Sequence, residues 1–381
     1  MKAVICGAGV AGLTLAAQLG RGGWEVVVLD RECGPASGGY LVDISGNGLV
    51  AADRLGLLPR LKEVGQLVST VRWVNERGRQ IADVDLGRQP RPYVRGWKIL
   101  RGDLERILLE SLPPTVEVRF GFDVSEIRTP PDRVEVGTRP SGHLTADVLV
   151  GADGVHSRIR DLVFGDGGLW NCALGFDTAA FSFRDERIES LLEGRFTVLS
   201  APGRHVVVCP LRSGRIAAMF VHRTLGLTPP SNPLRTLQDI YTSMKWCVPR
   251  LLRHARAAHE LRYEPAMQVN LASWHRGRIG LLGDACHAYS LLPGQSASIA
   301  LSSASWLGAE MLGAPSAHVA FSSYQDRMGA DIANRRARTR KAAQWLVPTN
   351  GRDLALRNGL LRLSGIPGIN RLVQSVVGGM A

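Results

Sequence analysis

Six residues near the start of the chain, Gly7-Ala8-Gly9-Val10-Ala11-Gly12, constrain its fold more than any other stretch. The apolar run Lys2 to Cys6 leads into them, Leu13, Leu15, Ala16 and Leu19 follow at helical spacing, and Glu25-Val-Val-Val-Leu-Asp30 comes next. Strand, tight turn, helix and strand in that order make a βαβ unit whose first strand is buried on both faces. Gly7 permits a turn closed to residues with a side chain, Gly9 lets backbone approach a pyrophosphate, and Gly12 lets the helix pack closely on the strand. Ala11 belongs to the same cofactor-facing set. The free amides and dipole of the helix start then favour an anion. Asp30 ends the second strand, where an acceptor takes both hydroxyls of an adenosine ribose and repels a 2′-phosphate. The expected dinucleotide is therefore FAD or NAD, with NADP disfavoured.

Two further glycine turns lie far downstream. Ala146-Asp-Val-Leu-Val-Gly-Ala-Asp-Gly-Val-His-Ser-Arg-Ile-Arg160 reads as a strand, a tight turn and a helix opening near Ser157. Arg278-Ile-Gly-Leu-Leu-Gly-Asp-Ala-Cys-His287 reads as an apolar strand ending in Gly283-Asp284. A carboxylate at the end of such a strand needs polar partners. In this order and spacing the three segments resemble the group A flavoprotein monooxygenases, the p-hydroxybenzoate hydroxylase family, with its aromatic and polyketide hydroxylases and tetracycline-inactivating monooxygenases. The likeness runs along essentially the whole chain.

The resemblance implies a bound FAD. Asp153, Gly154, Ser157 and Arg160 would contact the flavin pyrophosphate and shape the face open to a nicotinamide. Asp284, after Gly283, would bind the ribityl chain. Arg101, in Ile99-Leu-Arg-Gly-Asp-Leu104, would open a helix beside the cofactor and span ribityl or phosphate oxygens. Arg31 would stack beside adenine. His287 reads as a structural hydrogen-bonding residue rather than a base. Beyond the third segment the chain departs from the family, which continues with a proline, G-x-G and a helix bearing Asp-Ala. Here the run is Leu291-Leu-Pro-Gly-Gln-Ser-Ala-Ser298, then Ser303-Ala304. Pro293 stands two places late, Ser296 replaces the second glycine and Ser303 the aspartate. The helix start from Gly294 to Ser298 is still expected to aim amides at the flavin pyrimidine and stabilise negative charge at N1 and O2. The Cβ of Ser296 changes the surface beside the isoalloxazine.

The rest of the chain organises around these turns. Residues 31 to 70 are glycine-rich and then helical, with a helix from Gly48 ending near Pro59. Val71 to Val84 alternates like a hairpin around Asn75 to Gly78. A helix runs from Gly102 to about Leu112, and Val116 to Phe122, Arg133 to Thr138 and Ala146 to Val150 read as strands. Between about 171 and 270 the pattern shifts to short alternating segments, a β-rich insertion suited to a substrate. From 294 the chain is helical again. The expected fold class is α/β: a Rossmann-like FAD-binding domain of the glutathione-reductase βαβ type, an inserted β-sheet substrate domain, and C-terminal helices. Residues 1–70, 95–170 and 271–340 form the FAD part, 71–94 and 171–270 the substrate part, and 341–381 a helical tail.

Composition excludes several classes. The 381 residues, 45% hydrophobic, suffice for one large or two modest domains with a substantial core. The net charge of +12 invites a nucleic-acid reading. However, lysine supplies little of it (Lys2, Lys62, Lys98, Lys245 and Lys341), the arginines are spread along the chain, and no nucleic-acid reading motif is present. The six cysteines lie far apart without CxxC pairs, so they read as reduced thiols with no metal site, in a cytoplasmic protein. No signal peptide or membrane span is expected, and oligomeric state stays open.

By resemblance, NAD(P)H reduces FAD, O2 adds to give a C4a-hydroperoxide, and its distal oxygen passes to an electron-rich substrate. A second GxGxxG is absent, which points to transient NAD(P)H docking. No catalytic base can be named. The substrate reads as small and apolar, aromatic or polyketide-like, lined by Phe181, Phe183, Met219, Phe220 and Met267. A flavin dehydrogenase and a non-redox cyclase on the same fold stand as alternatives. A tryptophan-type halogenase does not, because the chain lacks its WxWxIP segment. Lipid contact through Leu354 to Val377 is less favoured than packing on the protein, since Gly359, Gly365, Pro367 and Gly368 interrupt that stretch.

Overall fold

The computed structural model describes residues 1–35, 39–85, 96–140, 142–165, 170–226, 228–258, 261–289, 296–365 and 373. Its first layer is a six-stranded sheet in the order His275–Arg276, Ile279–Leu281, Val148–Gly151, Lys2–Cys6, Glu25–Asp30 and Val116–Phe120. All neighbours pair in parallel except the first two. Strands buried on both faces in a parallel sheet carry continuous apolar runs, which is why Ala3, Val4 and Ile5 are fully buried. The helices Val10–Arg21 and Ser296–Gly313 and the three-stranded sheet Asp123–Arg128, Val134–Arg139 and Gly142–Ala146 contribute side chains to the same core.

Register then fixes where the glycine turns fall. Gly7 N–H donates to Leu29 O at 2.7 Å, Ala152 N–H to Cys6 O at 2.7 Å, and Leu282 N–H to Gly151 O at 2.8 Å. The strands Lys2–Cys6, Val148–Gly151 and Ile279–Leu281 thus end level with one another, and all three turns leave from the carboxyl edge of one sheet. In open α/β sheets that edge is where ligands bind.

A second sheet has seven strands in the order Arg262–Val269, Asn171–Phe183, Ile216–Arg223, Arg204–Pro210, Phe196–Ala201, Thr70–Val74 and Gln80–Asp85. One face packs under the helices Glu186–Leu192, Pro233–Tyr241 and Val248–Ala257, through Phe181, Phe220, Ile188, Leu237 and Leu251. The other face, with Phe176, Val207 and Met219, meets Leu41 and Leu100 from a small sheet of Leu41–Ile44, Trp97–Leu100 and Gln66–Leu67. Leu346 from the long helix Ala317–Leu346 and Leu361 from Gly351–Arg362 close that face.

Several local expectations change. The helix expected to reach Pro59 is Gly46–Arg54, ended by Gly56 at φ +69°, and Pro59 lies in the first turn of a new helix, Leu58–Val64. Proline is at home there because its missing N–H is one the helix start leaves unpaired anyway. The stretch 31 to 70 also holds the strands Leu41–Ile44 and Gln66–Leu67, and the β-rich block carries three helices the alternation did not announce.

Candidate functional site

At the carboxyl edge the three turns touch one another. A Cβ on Gly7, whose φ is +109°, would stand 2.3 Å from Ala152 O. One on Gly283, at φ +67°, would stand 2.9 Å from the Ala11 Cβ. One on Gly12 would come within 1.9 Å of Gly7 O, so the helix lies directly on the turn. Side chains at these positions would force the motifs apart. Gly154, at φ +80°, has open space beside it, and Gly9 faces Arg101 Nη2, with 3.4 Å between that atom and an added Cβ. A bare trough of backbone runs between them.

One continuous cleft follows this trough. Asp30, Arg31 and Glu32 line one end, Gly7, Gly9, Ala11, Asp153 and Gly154 the middle, and Tyr40, Arg101, Asp284, Ser296, Arg262 and Glu264 the other end. Asp30 ends its strand with Oδ2 accepting from Ala8 N–H at 2.6 Å and Oδ1 from Glu32 N–H at 2.9 Å, so the carboxylate braces the glycine turn as it faces the cleft. Ser157 caps the helix Arg158–Phe164, and Asp153 braces that cap: its Oδ1 accepts from Ser157 Oγ at 2.6 Å and its Oδ2 from Ile159 N–H at 3.1 Å. Burial nevertheless pushes its carboxyl up, against those hydrogen bonds.

The far end is more strongly polarised. Arg101 opens the helix Arg101–Glu110, with Nε donating to Glu105 Oε1 at 2.7 Å and Nη1 to Tyr40 Oη at 3.2 Å. Burial pushes the Asp284 carboxyl up, opposed by the charge of Arg101. The Asp284 side chain meets Ser296 Oγ at 3.4 Å, a loose contact for a carboxylate. A chain of hydroxyl donors along the cleft would satisfy it. Bare glycine backbone at the middle, a ribose-competent acceptor at one end and an under-partnered carboxylate at the other fit a flavin dinucleotide.

Not every expected residue lines the cleft. Ser157 is fully buried, and Arg160, 2% exposed, donates from Nη1 to Ala285 O and from Nη2 to Val155 O, each at 3.0 Å. These two hold the second and third motifs together from behind. Gly12 and Gly283 act through close packing, and Pro293 and Gly294 lie outside the described residues. Phe181, Phe183 and Phe220 sit on the helix-covered face of the second sheet, turned from the junction, while Met219 lies on the junction face and Met267 is half-buried on its strand. His287 is buried, with Nε2 at 3.1 Å from Tyr324 Oη, and burial lowers it to about 3. Ser303 is buried against Ala300 O. Sequence reading did not single out Tyr40, Glu105, Arg262 or Glu264. The spacing of Arg101 and Glu105 by one helical turn, and the alternation of Arg262 and Glu264 on one strand, were the available signals.

Among the described residues no cluster of His, Cys, Asp or Glu is arranged to hold a metal ion, and no helix is long and apolar enough to cross a membrane. The FAD binding domain family matches residues 1–315. The chain is 29% identical to 3-hydroxybenzoate 6-hydroxylase 1 of Aquipseudomonas alcaligenes, over 94% of this chain and 92% of that one. It is 31% identical to a 3-amino-4-hydroxybenzoate 2-monooxygenase of Streptomyces platensis, over 82% and 80%. The fold superposes on Klebsiella pneumoniae HpxO, crystallised with FAD and uric acid, with a TM-score of 0.82 at 21% identity, covering 100% of this chain and 97% of that one.

Proposed function

The chain belongs to the FAD binding domain family, and from that premise we propose that it hydroxylates or epoxidises a small aromatic or polyketide-like molecule using NAD(P)H and O2. The enzyme is an FAD-dependent oxidoreductase of the aromatic hydroxylase type. The observation that carries the proposal is the continuous cleft that runs from the dinucleotide trough past Asp284 to Arg262 and Glu264 of the second sheet. Bound FAD supplies electron transfer from NAD(P)H and activation of O2.

The residues divide the remaining work. Asp30 holds the adenosine ribose, the amides around Gly7 to Ala11 and the bare backbone at Gly154 face the pyrophosphate, and Arg101 and Asp284 hold the ribityl chain. Ser157 and Arg160 keep Asp153 and the third turn in place. Residues 1–70, 95–170 and 271–340 then serve the cofactor, and 71–94 with 171–270 the substrate. What the second sheet presents to the cleft is charged: Arg262 Nη1 lies 3.6 Å from Glu264 Oε1, with the side chains 36% and 49% exposed. A carboxylate so loosely paired accepts a hydrogen bond from a ring hydroxyl or amine, so the substrate carries such a donor rather than apolar surface alone.

The test uses purified protein with FAD. The expected result is a flavin spectrum and slow NADPH or NADH oxidation that 3-hydroxybenzoate or another hydroxylated or aminated ring accelerates, with one oxygen atom gained in the product. Failure to take up FAD, or substrate turnover without nicotinamide oxidation, overturns the proposal.

A further inference from the structure

In a chain with 46 basic residues, lysine is scarce, yet Lys98 is 2% exposed. It lies directly across the strand pair from Asp43, the two being register partners of Trp97–Leu100 and Leu41–Ile44. Its Nζ donates to Asp43 Oδ1 at 2.8 Å, and Ser45 Oγ donates to Asp43 Oδ2 at 2.7 Å. The site is shaped around the carboxylate: a Cβ on Gly96 would stand 2.0 Å from Asp43 Oδ1.

The pair is connected to the cleft through one side chain. Ser298, in the first turn of Ser296–Gly313, donates from Oγ to Asp43 O at 2.9 Å and accepts from Ser45 N–H at 2.8 Å. A Cβ on Gly48 would stand 2.6 Å from the Ser298 Cα, so the two helix starts are pressed together there. On the same first turns, Ser296, Ala297 and Ala300 line the cleft beside Asp284. Lys98 also lies 5.8 Å from the Phe196 ring centroid of the second sheet. One buried charge therefore ties the small sheet, the second sheet and the helix start that borders the cofactor cleft.

We propose that the Lys98–Asp43 ion pair is a positioning device that fixes the start of Ser296–Gly313 against the bound flavin and thereby sets the flavin's affinity and electron affinity. Removing one partner of a buried pair leaves the other charge uncompensated; the Asp43 carboxylate, held also by Ser45 Oγ, then shifts the Asp43–Ser45 backbone whose O and N–H the Ser298 Oγ bonds. The inference rests on the FAD assignment and not on the substrate.

Three holoprotein variants test it: Lys98→Met, Ser298→Ala, and Arg357→Met as a control. Arg357 is a buried cation over the Trp73 ring, donating to Ser200 Oγ and Leu346 O, and it is absent from the cleft lining. Lys98→Met and Ser298→Ala are expected to weaken FAD binding about tenfold, the factor matching one lost buried polar contact, and to move the flavin midpoint potential to more negative values. Arg357→Met is expected to lower the melting temperature while leaving FAD affinity and potential as in the wild type. If Lys98→Met does not fold, Ser298→Ala, which removes only the link to the helix, decides the question. The proposal is overturned if the variants that fold lose thermal stability alone, or if Arg357→Met shifts the potential equally. Absence of FAD binding in the wild type is a different failure, that of the cofactor assignment.

Discussion

At the scale of single residues, Asp284 and Glu264 stand near each other at the same end of the cleft and do different work. Asp284 closes the third glycine turn, and burial pushes its carboxyl up while its contact with Ser296 Oγ is long. Ribityl hydroxyls would supply the partners it lacks, so Asp284→Ala is expected to weaken FAD retention by about tenfold or more, read by fluorescence of released flavin after gel filtration. Unchanged retention would remove Asp284 from the cofactor set. Glu264 belongs to the second sheet, so its replacement should leave FAD affinity untouched and alter ring selection instead. Wild-type protein is expected to prefer a phenol over its methyl ether, and Glu264→Leu to lose about tenfold of that preference, the size of one hydrogen bond to a half-exposed carboxylate. A Glu264→Leu enzyme that still discriminates as the wild type does would place the substrate's polar group elsewhere.

At the scale of elements, the glycine turns were legible because each demands a backbone only glycine adopts, and Gly7 and Gly283 do stand at positive φ. Their convergence follows from parallel strands ending level, which short apolar runs already imply. The second sheet was legible as strands but not as faces. Alternation divides a strand into two sides without telling which side meets the cofactor, and Phe181 and Phe220 fell on the helix-covered side. Two of the three helices over that side were hidden because Pro233 and Pro249 sit in their first turns, where proline reads equally as a break, and the third, Glu186–Leu192, is only seven residues long. One side chain joins two of them. Asp185 caps Glu186–Leu192, accepting from Ile188 N–H at 3.1 Å, and also meets Arg250 and His254 of Val248–Ala257. Burial raises its carboxyl, but the hydrogen bonds from Arg250, His254 and Ile188 outweigh that and hold it well below the usual carboxylate range. A carboxyl depressed in the folded state stabilises above its unfolded value, about pH 4, and that contribution fades as pH falls toward the folded value. Asp185→Asn is therefore expected to be less stable at neutral pH and to show an acid limb shallower by about one proton between pH 4 and 2, measured by urea unfolding. An acid limb identical to the wild type would mean the staple carries no titrating charge.

At the scale of the whole molecule, each of the three cores has a buried histidine at its border. His287 lies against Trp274 and Tyr324, His205 against Trp73 and Ser200, and His222 against Tyr241 and Tyr263. Burial lowers His287 to about 3, burial with the charge of Arg357 lowers His205 to about 3, and burial lowers His222 to about 4. The unfolded chain takes up these three protons near pH 6.5 while the folded protein does not, so stability rises with pH across that range and falls on acidification. Each histidine contributes about 1.4 kcal/mol per pH unit, and the three together about 4 kcal/mol per pH unit. The slope is to be read between about pH 6.5 and 5, above the ordinary carboxylate range. Lower down, burial raises the carboxyls of Asp153, Asp177 and Asp284, which take up protons in the folded state first and offset the loss. Urea unfolding followed by tryptophan fluorescence at pH 7, 6 and 5 should give one cooperative transition that weakens at about half this rate from pH 7 to 6 and close to the full rate from pH 6 to 5, and His287→Gln should reduce the slope by about a third. A slope unaffected by His287→Gln would mean that the imidazole protonates without unfolding its surroundings. Two separated transitions would mean that the cofactor sheet and the second sheet unfold as independent units despite the packing of Leu41 and Leu100 of the small sheet and Leu346 of the long helix on the second sheet.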